Sequence, residues 1–115
     1  MENTLFIMML LTAFLHCMFF KLESIDFMKP KTLKKFGLSQ ESGVVVKTWA
    51  FNQGFYNLFF ALGLFYSAYL LKTENIELAN ILGSFIFLSI TGAGIVLYLS
   101  TKFELYKCIY HSVVY

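Results

Sequence analysis

The chain has 115 residues, 58% of them hydrophobic and only 14% charged, with 14 Phe, 7 Tyr and a net charge of +2. A soluble domain of this length has too little interior to hide that much apolar surface, whereas a bilayer asks for no hiding, so the composition excludes an ordinary soluble domain and points to an integral membrane protein. The small net charge and the absence of a basic–aromatic segment exclude nucleic acid as a partner class. Two cysteines are too few for a disulfide framework, and neither has a His or Cys at metal-ligand spacing, so no metal and no cofactor is expected.

The first apolar run, about 4–22, is long enough for one crossing at about 1.5 Å per residue. It has the length of a signal peptide but lacks the basic start and the small-x-small cleavage pattern, and reads as an uncleaved span. Lys21, Glu23 and Asp26 mark its exit. The loop 24–42 follows, with Pro30 and a cluster of Lys29, Lys31, Lys34 and Lys35. Ser39 reads as a helix N-cap, with Gln40 and Glu41 beside the positive helix end.

The second helix is expected over about 40–71 and the third over about 76–100, with a turn at Thr101 and Lys102. A short fourth helix is expected over about 103–115, an interfacial helix being the competing assignment. The fold class is therefore all-α, a polytopic bundle of four membrane helices forming one domain. Lysine counts place the loop 24–42 in the cytoplasm and the protein in the plasma membrane, multi-pass.

The stretch 52–64 carries Asn52, Gln53, Tyr56 and Asn57 inside an apolar run. At 100° per residue Trp49, Gln53, Tyr56, Phe60, Gly63 and Ser67 share one face, flanked by Asn52 and Asn57, and a phenylalanine-rich face lies opposite. In the first span Met9, Thr12, His16, Phe19 and Glu23 share a face, so His16 is expected to touch the Asn52–Gln53–Tyr56 group. Ser84, Thr91 and Gly94 form a small-residue face suited to close helix approach. Polar groups in hydrocarbon are costly, so these are either interhelical hydrogen bonds or a site for a solute or proton. Glu23, at the membrane edge, is expected to be solvated or paired with Lys21 or a loop lysine.

The run Asn52-Gln53-Gly54-Phe55-Tyr56-Asn57 followed by Ala61-Leu62-Gly63-Leu64 resembles the signature of the family named domain of unknown function 1304. His16 with Glu23 seven residues on, Phe36-Gly37-Leu38-Ser39 and Ala93-Gly94-Ile95 match further parts of it. The third-helix pattern usually continues Tyr-Gly where this chain has Val96-Leu97, and no proline stands between Lys107 and His111. The resemblance implies a small membrane protein of about four helices and carries no reaction.

Three functions follow as alternatives. The first is binding or passage of a small solute or proton at His16, Glu23, Asn52, Gln53, Tyr56 and Asn57. The second is a structural or interaction subunit with the polar stripe as packing glue. The third, ranked last, is an enzyme on a lipid-soluble substrate with His16 and Glu23 as acid and base, because about 10 Å along one helix is far for a shared proton. The partner classes are the lipid bilayer, a small-molecule ligand and a second copy in a homo-oligomer.

Overall fold

The computed structural model describes residues 2–73 and 75–114, with side chains through Phe103. Every regular element among them is helical: α1 over Glu2–Phe20, a π-helical turn over Lys21–Ile25, α2 over Pro30–Lys35, α3 over Gln40–Lys72 and α4 over Ile76–Val114. The fold is all-α, and α1 with its π turn, α3 and α4 are each long and apolar enough to cross a membrane.

The expected turn at Thr101 and Lys102 is absent, and the expected third and fourth helices are one continuous helix. The reason is local. No proline or glycine interrupts the chain after Gly94. The Thr101 hydroxyl donates to the Leu97 carbonyl at 2.8 Å and the Ser100 hydroxyl to the same oxygen at 2.9 Å, so these polar side chains are satisfied within the helix and do not break it. The short fourth helix of the structure is instead α2, in the loop. Its bounds have clear causes. Pro30 occupies the first turn, where its missing N–H costs nothing. Gly37 (φ +67°) ends it, with Leu38 N–H donating to Leu33 O at 2.9 Å and Gly37 N–H to Lys34 O at 3.1 Å, the paired bonds of a Schellman cap. Ser39 caps α3, its hydroxyl accepting from Ser42 N–H at 3.1 Å.

The chain divides into two compact units, Met1–Gly83 and Ser84–Tyr115. In the first, α1 and α3 run antiparallel. Among the described residues four hydrogen bonds tie α1 and its π turn to α3: Lys72 Nζ to Asn3 Oδ1 at 3.1 Å, His16 to Asn57 at 2.7 Å, Asn57 Nδ2 to Glu23 Oε2 at 2.7 Å, and Ser24 Oγ to Phe51 O at 2.8 Å. The buried seam of α3 is Gly54, Asn57, Ala61, Leu64, Ala68 and Leu71, in alternating steps of three and four. That of α1 is Met9, Ala13 and His16, in steps of four and three. The alternation is that of helices packed nearly antiparallel with side chains interlocking. On α4, Ala79 and Gly83 are buried, and Ser67 Oγ donates to Ala79 O at 2.7 Å. A Cβ on Gly83 would lie 2.5 Å from Met9 Cε and 3.0 Å from Ser67 Oγ, so close packing occurs there. The expected small-residue face differs: Ser84, Thr91 and Gly94 are exposed, and a Cβ at Gly92 or Gly94 meets nothing within 4 Å. In the second unit many large apolar side chains of α4 are exposed, among them Leu88, Val96, Tyr98 and Phe103, while Ile86 is buried.

Gly54 brings the π turn against α3. A Cβ there would lie 3.0 Å from Ser24 N and 3.1 Å from Glu23 Cβ and would collide with Ser24 Oγ. Because the obstacle is partly backbone, Gly54→Ala is expected to lower stability by about 1–3 kcal/mol through overpacking, whereas Gly92→Ala, with open space, changes it little or raises it by less than about 1 kcal/mol. Thermal unfolding of the two variants in detergent, side by side, checks the contrast; equal effects would remove the close approach at Gly54.

The end of the π turn is tied to α2 by Asp26, which is buried and accepts from Lys21 and, at 2.7 Å, from Lys29. The Lys21 hydrogen bond first, and then that of Lys29, holds the Asp26 carboxyl below the ordinary carboxylate range. A group whose folded value is depressed contributes stability that is fully present above its unfolded pKa, about 3.9, and is lost as pH falls through the lower folded value. Unfolding midpoints measured from pH 6 down to about pH 3 should therefore fall more steeply for the native chain than for Asp26→Asn. Parallel acid limbs would show that the lysine pair contributes nothing.

Candidate functional site

Three helical turns meet around the Asn57 side chain. Asn57 Nδ2 donates to Glu23 Oε2 at 2.7 Å and to the Gln53 carbonyl of its own helix at 3.2 Å. Both partners are acceptors, so the amide nitrogen must face them and the amide oxygen must face His16. Asn57 Oδ1 lies 2.7 Å from His16 Nδ1. The network therefore assigns the proton to Nδ1, which donates, and leaves Nε2 bare when the ring is neutral. The His16 ring is set edge-on between Phe19 and Phe60, each 5.8 Å away between centroids.

The π turn explains how Glu23 reaches this network. Asp26 N–H donates to Lys21 O at 2.8 Å, five residues back, which widens the last turn of α1. A helical side chain leans toward the helix N-terminus, so the Glu23 carboxylate leans back along α1 toward the level of His16. Gly54, one turn before Asn57 on the same seam, lets Glu23 and Ser24 touch α3. His16 and Asn57 are each 7% exposed, and among the described residues no buried side-chain nitrogen or oxygen lacks a hydrogen-bond partner.

Glu23 is half-buried and forms a wall of an open groove of about 370 Å³. Phe27, Phe36 and Leu38 from the loop and Val46, Trp49, Ala50 and Gln53 from α3 complete it. Among the described residues no lysine, arginine or histidine lines it. The expected pairing of Glu23 with Lys21 is not what the structure holds, because Lys21 and Lys29 are both engaged by Asp26. Among the described residues Glu23 has no ion-pair partner, and its carboxylate accepts from Asn57 through Oε2.

The predicted residues divide accordingly. His16, Glu23 and Asn57 are brought together. Asn52, Gln53 and Tyr56 lie on the exposed side of α3, and their side chains make no hydrogen bond within the described residues. The expected contact of His16 with the Asn52–Gln53–Tyr56 group is replaced by contact with Asn57, which the wheel placed at the flank. The inward face of α3 is centred near Gly54, Asn57 and Ala61, about one residue round the helix from the polar stripe. Gln53 contributes its carbonyl to the network and its side chain to the groove. Trp49 is 75% exposed and lines the same groove. Sequence reading marked Gly54 and Phe36 as parts of runs shared with a known family but gave them no place in the site, and it did not single out Phe27 among 14 phenylalanines. Among the described residues no cluster of three or more His, Cys, Asp or Glu could hold a metal ion.

No curated protein and no solved structure matches the chain. A family profile described as protein of unknown function (DUF1304) matches residues 10–112, a range that holds the π turn, the groove and all three members of the hydrogen-bonded network. With nearly the whole chain matched, the protein belongs to that family.

Proposed function

We propose that this is a membrane protein that binds a small solute in the groove beside Glu23, at the edge of the bilayer. The observation that carries the reading is a half-buried carboxylate held in place by Asn57 and His16, unpaired among the described residues, facing an aromatic-walled groove. The tie points Asn3–Lys72 and Ser24–Phe51 lie 21 residues apart on each helix, 3 to 24 and 72 to 51. At about 1.5 Å per residue that is about 32 Å, close to the thickness of a hydrocarbon core. The groove then sits at the interface, Asn57 about 9 Å deeper than Phe51, and the exposed Asn52, Gln53, Tyr56 and Trp49 fall in the zone where polar and aromatic side chains are tolerated. The lysine-rich segment 24–42 faces the cytoplasm of the plasma membrane in this arrangement.

Binding fits the geometry better than proton passage. An amide stands between His16 and Glu23, and a side-chain amide takes up and releases protons poorly. It transmits orientation instead: a charged Glu23 fixes the Asn57 amide, which fixes the His16 tautomer. The second reading, packing glue, is favoured by one observation, that both donor hydrogens of the Asn57 amide and its oxygen are engaged.

The two readings differ in what Glu23→Gln does to the empty protein. A Gln oxygen still accepts from Asn57, so glue is preserved, while the unpaired carboxylate is removed. A carboxylate kept for a ligand costs stability, so this variant should be more stable than the native chain by up to about 1 kcal/mol. Asn57→Leu, which leaves His16 Nδ1–H and Glu23 Oε2 without this partner, should lose about 2–4 kcal/mol. Chemical unfolding in mixed micelles measures both; a Glu23→Gln loss as large as that of Asn57→Leu would overturn the solute-binding reading.

A further inference from the structure

We infer that the groove beside Glu23 takes an organic cation with an apolar body, an amphipathic ammonium compound entering from the membrane interface. The inference rests on the solute-binding reading and names its chemical class. The argument begins with charge. Near the end of α1 both Lys21 and Lys29 are engaged by Asp26, a cluster with one positive charge in excess. Glu23, two and three residues from Lys21 and Asp26, is left out of that cluster. Its side chain turns the other way, toward α3, where its partner is the neutral Asn57. A partly desolvated carboxylate without a cation is costly, and a cationic ligand removes that cost, whereas a neutral one leaves it in place.

The walls fit the same class. Phe27 and Phe36 sit together at the groove, ring centroids 5.8 Å apart and planes tilted by 45°, with Trp49 lining it from α3. Aromatic faces attract cations through their quadrupole, indole most of all, and a carboxylate beside such faces is the arrangement that recognises alkylammonium groups. The walls also carry no positive side chain that would repel one. The remaining lining, Leu38, Val46 and Ala50, is apolar and suits a hydrocarbon body. An anionic ligand meets neither feature.

The chain contains a single tryptophan, so the emission of Trp49 reports on the groove directly. The full-length protein in a maltoside micelle, whose headgroup carries no cation, is titrated with hexyltrimethylammonium, hexanol and hexanoate. The ammonium should change Trp49 emission saturably at about tenfold lower concentration than hexanol, and hexanoate should give no saturable change. Glu23→Gln should weaken the ammonium by about tenfold and leave hexanol within about twofold. Phe36→Leu, which keeps the wall apolar and leaves the Asn57 network untouched, should weaken the ammonium by about threefold or more and hexanol little. Hexanol or hexanoate saturating as tightly as the ammonium, or an ammonium response unchanged in both variants, overturns the cation inference while the solute-binding reading stands. No saturable response to any of the three probes overturns both.

Discussion

One amide ties this molecule together. Asn57 accepts a hydrogen bond from His16 of the first helix and donates to Glu23 at the end of the same helix and to the Gln53 carbonyl of its own helix. Because a carboxamide offers donors on one side and an acceptor on the other, the arrangement has one satisfied orientation and not two. It therefore sets the register of α1 on α3, the tautomer of His16 and the direction in which Glu23 points. In an environment with little water to substitute for a lost partner, each of those bonds is worth keeping.

The rest of the local structure serves that contact. A π turn widens the end of α1, and Gly54 removes the side chain that would hold the two helices apart. The Asp26 pair with Lys21 and Lys29 then anchors the turn to α2, whose Leu33 packs against Gly43 at the start of α3. The consequence for function is that the nearby lysines are used structurally. Glu23 is left to the groove and to Asn57 because Asp26 engages both Lys21 and Lys29. Far from this end, Lys72 lies 4.6 Å over the Phe6 ring and bonds Asn3, an edge contact of the kind a long basic side chain makes when it reaches toward the interface.

The helical class, the long apolar helices and Ser39 as the cap of α3 were legible from residue type, whereas α2, which Pro30 opens and Gly37 closes, lies in a stretch that reads as a loop. Each of these three residues follows a local preference that tertiary contacts had no reason to override. His16, Glu23 and Asn57 were legible as candidates because polar side chains in apolar runs stand out. The continuous α4 was not. Thr101 and Lys102 resemble a turn by polarity alone, yet a threonine hydroxyl can bond the carbonyl four residues back and remain in a helix.

By itself, then, the amino-acid order determined that the chain is helical, which stretches are apolar enough to cross a membrane, and that the histidine of the first span stands near the level of the polar residues of α3. Only the tertiary structure decided which of those residues meets it. A helical wheel gives relative angles but no absolute direction, and the direction was set by Gly54, where the backbones come close, and not by where the polar side chains are densest. That rotation of about one residue put Asn57 at the seam and left Asn52, Gln53 and Tyr56 outside it. It also assembled a groove from phenylalanines of a loop whose path no local pattern specifies.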